Sequence, residues 1–228
     1  MLTPLMDNSD MVNPPKSQDY VIKDGNFVGD FEGLYQNFDD PWHQSREDHV
    51  FDSRRQLALL ACARLKRQRN DLKVIELGCG FGFLTNQLRE QGFTSLGTDV
   101  SLTSIQKARE KNPKSLFQVA DYNNFELIVE FDPDIIIMAE LSWYVLDTLK
   151  DFISRLKSYG QSRNKPTYFI HLLATYEEGV QKYGTEKFTN LDEILAFFGM
   201  QYLEWGFIKT VREDDEKSQG TYFIAKIG

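Results

Sequence analysis

The feature that most constrains the fold is an apolar strand that runs directly into a glycine turn, residues 74–82, with the sequence VIELGCGFG. Glycine at every second position lets the chain bend sharply with positive φ, and the missing Cβ atoms let a ligand approach the backbone. A turn of this kind indicates a ligand site at the carboxyl end of the strand. We expect the site to include Gly78, Cys79, Gly80 and Gly82.

Short apolar runs alternate with helical patterns after residue 72, which is typical of strand–helix–strand units and a parallel sheet. The runs predict strands at 73–77, 95–98, 116–120, 134–138 and 167–172. The patterns between them predict helices at 82–91, 101–111 and 145–159, the second with Ser101 as its N-cap. A further helix is expected to begin around Ser53 and to precede the first strand.

The end of the chain departs from this alternation. Thr189 is the expected N-cap of a last helix, and residues 202–211 and 221–227 predict an antiparallel hairpin at the sheet edge. Together the patterns predict an α/β fold: a Rossmann-like, seven-stranded, mostly parallel sheet with a C-terminal antiparallel hairpin and helices on both faces. Residues 53–228 are expected to form one domain, preceded by an acidic arm or lid over residues 1–52 that is partly disordered, above all in its first twenty residues.

Charge and composition limit the classes of partner that we expect the protein to bind. A formal net charge of −8 makes the average field repel phosphate backbones and anionic membrane surfaces, so nucleic acid and membrane are not expected partners. No apolar run reaches the roughly 20 residues of a membrane span, and residues 1–20 lack the pattern of a secretion signal. Cys62 and Cys79 offer neither a disulfide framework nor a metal-site spacing. We therefore expect a cytoplasmic protein without a metal.

Acidic side chains stand where three neighbouring strands end, at Glu76, Asp99 and Asp121. Ligands of open α/β sheets bind at these carboxyl ends. A carboxylate at Asp99 can accept hydrogen bonds from both hydroxyls of a ribose, and Asp121 can accept from an adenine amino group while Tyr122 or Val100 covers the ring. Glu76 favours a ligand with an amino group. The dinucleotide pattern G-x-G-x-x-G is broken, because Phe83 occupies the position of its third glycine.

The segments ELGCGFG, GTDVS and ADY, in this order and spacing, resemble the class I S-adenosylmethionine-dependent methyltransferase family. The resemblance covers the layout from Arg55 to Ile227 and implies S-adenosylmethionine as cofactor, with S-adenosylhomocysteine as product. It also implies that Glu76 and the glycine turn hold the methionine portion, that Asp99 holds the ribose, and that Asp121 and Tyr122 flank the adenine. Ala139 and the residues after it then border the methyl group and the acceptor.

Candidates for the acceptor side follow from the same resemblance. The stretch Ala139-Glu140-Leu141-Ser142-Trp143-Tyr144 lacks the N/D-P-P-Y/F/W pattern of enzymes that methylate DNA bases or glutamine. We expect Trp143 and Tyr144 to line the acceptor pocket. The aromatic stretch from Tyr176 to Phe188 can add Tyr176 to this lining as a further wall, or it can equally be a packed crossover. The segment around Trp42 is similar to the covering segment of nodulation-type and sugar methyltransferases, although Trp42 can equally be a hydrophobic anchor. The candidate bases are Glu140, His171 and His43. Glu140 can instead bind a substrate amine, and a histidine within a strand, as at His171, more often satisfies a hydrogen bond in the core. The candidate partners of the cofactor carboxylate are Arg54 and Arg55, either of which can instead make surface pairs.

The function that these residues predict is methyl transfer to an oxygen or nitrogen atom of a small-molecule acceptor. Two other readings stay open. One is a protein that binds the cofactor as a sensor or scaffold without turnover. The other is a nicotinamide-dependent oxidoreductase, which shares the sheet and Asp99 but is opposed by Phe83.

Overall fold

The computed structural model describes residues 16–45, 50–67, 71–180, 183–209 and 218–228. The first of these stretches, which we call the cover segment (residues 16–45), begins with a 3-10 helix at Ser17–Tyr20. A small hairpin of β1 (Ile22–Lys23) and β2 (Asn26–Phe27) follows, and then helix α1 (Phe31–Asn37). The part of the expected disordered stretch that falls in residues 1–15 lies outside the described residues, whereas residues 16–20 are folded.

Helices and strands then alternate along the described chain. They are α2 (Val50–Lys66), β3 (Lys73–Leu77), α3 (Phe83–Glu90), β4 (Thr94–Asp99), α4 (Leu102–Lys111), β5 (Leu116–Val119), α5 (Phe125–Phe131), β6 (Ile135–Ala139), α6 (Leu149–Ser162), β7 (Tyr168–Tyr176), α7 (Leu191–Phe198), β8 (Gln201–Ile208) and β9 (Ser218–Lys226). A second 3-10 turn, Ser142–Tyr144, follows β6.

The main sheet has the strand order β5-β4-β3-β6-β7-β9-β8. The first five of these strands are parallel, and β9 pairs antiparallel with both β7 and β8. The predicted fold class, with its C-terminal antiparallel hairpin, is therefore confirmed. The order in which successive strands are added to the sheet reverses at β3 and β6, because β4 and β5 lie on one side of β3 and β6 lies on the other. In open α/β sheets, a ligand crevice forms at the carboxyl ends of the strands at such a reversal.

Alternate strand residues enter two separate cores, which places helices on both faces of the sheet. Val74 packs with residues of α2 and α3, whereas its neighbour Ile75 packs with residues of α5, α6 and α7. The side-chain period of two along a strand explains this division. Among the described residues, no helix has the length and apolar character that crossing a bilayer requires.

Several predicted boundaries need correction. Helix α6 begins at Leu149 rather than Val145, because residues 142–148 form the 3-10 turn and the loop after it. Asn190, not Thr189, caps α7: its side chain accepts a hydrogen bond from the Glu193 amide. Helix α5 was not predicted from the sequence, and neither were the elements of the cover segment. Ser101 caps α4 as predicted, accepting from the Ser104 amide.

Candidate functional site

A cavity of about 1060 Å³ opens at the carboxyl ends of β3, β4 and β6, at the sheet reversal. The structure brings most of the sequence-predicted residues together in its lining. They are Glu76, Gly78, Cys79, Asp99, Val100, Asp121, Tyr122, Ala139, Glu140, Trp143, Tyr144, Tyr176, Trp42, His43, Arg54 and Arg55. Three predicted site residues, Gly80, Gly82 and His171, are not part of the lining.

The glycine turn, residues 78–82, has positive φ at all three glycines, as the sequence predicts. Only Gly78 borders the cavity, where a Cβ would lie 3.2 Å from the Leu141 side chain. A Cβ at Gly82 would overlap the Phe117 ring, so this glycine serves the packing of α3 against the sheet. A Cβ at Gly80 would overlap the side-chain amide of Gln44. The prediction that Gly80 and Gly82 contact the ligand is therefore not supported, since tertiary neighbours occupy the space beside both.

Glu76 is a buried carboxylate at the base of the cavity, where Thr85 donates a short hydrogen bond to it. Burial raises its pKa to about 7, although the hydrogen bonds from Thr85 and the charge of Arg55 lower it in part. A carboxylate that loses this much solvation gains from a cationic hydrogen-bond donor. The site therefore favours a ligand that brings an amino group close to Glu76.

Asp99 is likewise buried, at the end of β4. Its Oδ2 accepts from the Gly80 amide at 2.9 Å, and its Oδ1 accepts from the Ser101 amide at 3.0 Å. Burial raises the pKa of Asp99 to about 6, while these backbone hydrogen bonds lower it in part. Each carboxylate oxygen can accept more than one hydrogen bond, so Asp99 is both anchored and able to bind hydroxyl groups in the cavity.

The third strand end is more open. Asp121 is exposed and accepts from the Asn123 amide at 2.7 Å, and Val100 is 53% exposed. Tyr122 is half-buried, and its hydroxyl hydrogen-bonds Thr148. These three side chains give this end of the cavity an apolar surface beside a solvent-facing carboxylate. Such a combination suits a flat ring with an exocyclic amine.

Glu140 stands on the other side of the reversal, directly after β6, with φ of 59°. Its Oε1 pairs with Arg54 Nη1 at 2.7 Å, and its Oε2 accepts from the Ala174 amide at 3.0 Å. Arg54 is a buried residue of α2. The predicted candidate base is thus held in one orientation by a guanidinium and a backbone amide.

The turn after Glu140 is fixed to β7. The Trp143 indole N–H donates to Ala174 O at 2.8 Å, and the Trp143 ring packs on Phe188 with centroids 5.0 Å apart. Trp143 is 7% exposed, whereas Tyr144 faces the cover segment. Phe188, for which the sequence leaves a pocket wall and a packed crossover open, lies in the core.

His171 does not support its predicted catalytic role. It is fully buried in β7, outside the cavity lining, and packs against Phe223 with ring centroids 4.9 Å apart. Its Nε2 hydrogen-bonds Ser142 Oγ at 2.7 Å. Burial lowers its pKa to about 3, so the ring is neutral at physiological pH. Because the side chain points into the aromatic core, it supports the 3-10 turn after β6 and does not reach a ligand.

The cover segment packs over the cavity through aromatic contacts. Trp42 packs on Tyr144 with ring centroids 5.7 Å apart, and Phe31 packs on the same ring at 5.5 Å. Phe27 stacks on Tyr183. Trp42 is therefore at once an anchor of the segment and part of the cavity lining, the two interpretations that the sequence leaves open.

Polar contacts attach the cover segment to α4. The Glu32 carboxylate accepts from the side chains of Ser101 and Thr103, and Lys107 Nζ donates to Tyr35 O at 2.7 Å. Partial burial raises the pKa of Glu32, but these hydrogen bonds outweigh it and hold the pKa at about 2. Sequence reasoning missed Glu32 and Gln44, because their partners are distant along the chain. The position of Glu32 in the first turn of α1 does not indicate its contacts with Ser101 and Thr103.

In the described part of the chain, no group of three or more His, Cys, Asp or Glu side chains is arranged to hold a metal ion.

The comparisons with known proteins agree with this geometry. Residues 74–160 match a family model described as a methyltransferase domain. No curated protein matches the sequence significantly.

The solved structures of WbdD and TehB share the fold. A structure of WbdD has a TM-score of 0.59 at 22% identity, with 78% of this chain and 40% of that chain covered. TehB from Haemophilus influenzae has a TM-score of 0.53 at 17% identity, with 73% and 61% covered. Magnesium protoporphyrin IX methyltransferase from Synechocystis PCC 6803 with bound S-adenosylmethionine has a TM-score of 0.49 at 16% identity, with 77% and 80% covered. This chain thus spans about two fifths of the WbdD chain.

Proposed function

We propose that this protein transfers the methyl group of S-adenosylmethionine to an oxygen or nitrogen atom of a small-molecule acceptor. The match of residues 74–160 to a methyltransferase-domain model supports the proposal. The observation that carries the proposal is one continuous cavity. It is lined at one end by the carboxylates of β3, β4 and β5 and at the other by Glu140 and the aromatic residues of the cover segment. A donor and a small acceptor therefore fit side by side.

The chemistry of the cavity fits the cofactor. S-adenosylmethionine has hydrogen-bond donors at its amino group, its ribose and its adenine amine, and it carries an electrophilic methyl group on a positive sulfur. The cavity offers an acceptor for each donor: Glu76, Asp99 and Asp121. Gly78 lets the ligand approach the turn between the first two. Arg55, which also lines the cavity, is the candidate partner of the ligand carboxylate.

On the acceptor side, we assign Glu140 the task of receiving a hydrogen bond from the acceptor hydroxyl or amine. Arg54 and the Ala174 amide hold the carboxylate in place, so its orientation is set by the protein. Methyl transfer is a direct displacement, and alignment of the reacting atoms supplies much of its acceleration. The aromatic rings of Tyr144 and Trp42 exclude water from this end and shape it for a small acceptor.

Two measurements test the proposal. Calorimetric titration with S-adenosylhomocysteine and with NAD is expected to show binding of the first only. Incubation with methyl-labelled S-adenosylmethionine and pools of small metabolites is expected to yield labelled products, which mass spectrometry identifies. The variant Glu140→Gln should bind S-adenosylhomocysteine normally and transfer the methyl group slowly. The matched control is Glu110→Gln, on the exposed face of α4. Binding without transfer to any pool would favour the sensor interpretation, and binding of NAD alone would refute the proposal.

A further inference from the structure

The amides of the glycine turn are held by protein acceptors. The Cys79 amide donates to Thr98 O at 2.8 Å, the Gly80 amide to Asp99, and the Gly82 amide to Cys79 O at 2.9 Å. These acceptors belong to the sheet or to the turn itself. The Phe81 amide differs, because it donates to Gln44 Oε1 at 2.8 Å and so joins the turn to the cover segment.

This contact explains why position 80 is a glycine. Its φ of +53° favours glycine, and the space where a Cβ would stand is filled by the Gln44 side-chain amide. Gly80 does not line the cavity. The second glycine of the turn is thus a docking position for the cover segment rather than a point of ligand approach.

Gln44 is presented by a turn that is held by its own hydrogen bonds. The Asp40 carboxylate accepts hydrogen bonds from the Gln44 amide at 2.7 Å and from the Ser45 amide at 3.0 Å. His43, which precedes Gln44, has φ of +52°. From the opposite side, Arg55 Nη1 donates to Gln44 O at 2.5 Å. The side chain therefore reaches the glycine turn at a small cost in conformational entropy.

Gln44 also lines the cavity itself, together with Pro41 and Trp42 of the same turn. We infer that Gln44 is a positioning residue of the cofactor site, which keeps the cover segment closed on the glycine turn and slows the release of S-adenosylhomocysteine. This inference rests on the proposed function, because it assigns the cavity to that cofactor. It assigns to Gln44 a task that the glycine motif does not show.

A double-mutant cycle tests the contact directly. Gln44→Ala, Gly80→Ala and the double variant are compared with the wild type for the rate of S-adenosylhomocysteine release, measured by stopped-flow displacement. Loss of one hydrogen bond predicts release about fivefold to tenfold faster in Gln44→Ala. In Gly80→Ala the new methyl group displaces Gln44, so release is again faster. Because both changes break one contact, the double variant is expected to release more slowly than the product of the two single effects predicts.

Two further variants separate the contact from general stability. Gln44→Met keeps most of the side-chain volume but removes the acceptor for the Phe81 amide, so it should also release faster. Gln201→Met, on the exposed start of edge strand β8, is the matched control and should release at the wild-type rate. The melting temperature of each unliganded variant is measured in parallel.

The outcomes separate a failure of the proposed function from a failure of the role of Gln44. Wild-type protein that does not bind S-adenosylhomocysteine would refute the proposed function. If the wild type binds, wild-type release rates in Gln44→Ala and Gln44→Met would overturn the role of Gln44, and so would a lower melting temperature without faster release. Gly80→Ala is not needed for this decision, so a failure of that variant to fold leaves the two Gln44 variants decisive.

Discussion

Replacing Glu76 by glutamine is expected to stabilise the unliganded protein at pH 8 while weakening cofactor binding. Burial raises the pKa of Glu76 from 4.5 to about 7, so folding favours the protonated form. The folded state then binds more protons than the unfolded state between these two values, and stability falls as pH rises from 4.5 to 7. At about 1.4 kcal/mol per pH unit, the ionised carboxylate costs about 3 kcal/mol at pH 8 and about 2 kcal/mol at pH 6.

Glutamine removes this cost and keeps an oxygen that can accept from Thr85. Urea unfolding of both proteins should therefore show a gain of about 3 kcal/mol at pH 8 that nearly vanishes at pH 4.5, with a melting temperature about 6 to 12 °C higher at pH 8. Glu110→Gln, on the exposed face of α4, is the control for the loss of one charge. Calorimetry should show affinity for S-adenosylhomocysteine about tenfold lower in Glu76→Gln. Equal stability differences at pH 4.5 and pH 8 would refute the reasoning from burial.

Three other substitutions test the roles of Asp99, Glu32 and His171. Asp99→Asn should weaken S-adenosylhomocysteine binding by about 1.5 to 3 kcal/mol, as measured by calorimetry, because a charged acceptor is lost; unchanged affinity would remove Asp99 from the ribose role. Glu32→Gln should lower stability at pH 7 by about 1 to 2 kcal/mol in urea unfolding, because it weakens the bond to Ser101. The pKa of Glu32 is held at about 2, so its contribution is present above pH 4.5 and is lost as pH falls to 2, where the two proteins should converge. His171→Phe should reduce the loss of stability that the wild type undergoes between pH 6.5 and 3, since a neutral buried histidine with a pKa of about 3 opposes folding once the unfolded chain is protonated. Thermal melts at pH 4 and pH 7 check this, and a steeper acid loss in the variant would contradict it.

The regular part of the fold was predictable because its signals are local. Apolar runs of strand length, the helix cap at Ser101 and the glycine turn each depend on residues close together in the sequence. The short helix α5 carries apolar residues around most of its surface, and its periodicity is correspondingly poor. The cover segment lacks such signals, since its position depends on partners such as Tyr144 and Lys107, far along the chain.

The site was predictable only in outline. That Glu76, Asp99 and Asp121 line one cavity was predictable, because the strand ends of a parallel sheet meet at one edge. His171 was a candidate base with a core histidine as the alternative, and the strand turns this side chain into the aromatic core. Residue type and strand position do not reveal on which face of a sheet a side chain lies when both faces are buried.

The amino-acid sequence by itself determined the α/β fold, the glycine turn and the order of the three acidic strand ends, because periodicity, backbone freedom and chain order act over short distances. The tertiary structure alone decided that Arg54 holds Glu140, that Gln44 fills the space beside Gly80, and that the cover segment lines the cavity. These contacts join residues separated by tens of positions. Their geometry depends on how whole layers pack, which no local pattern records.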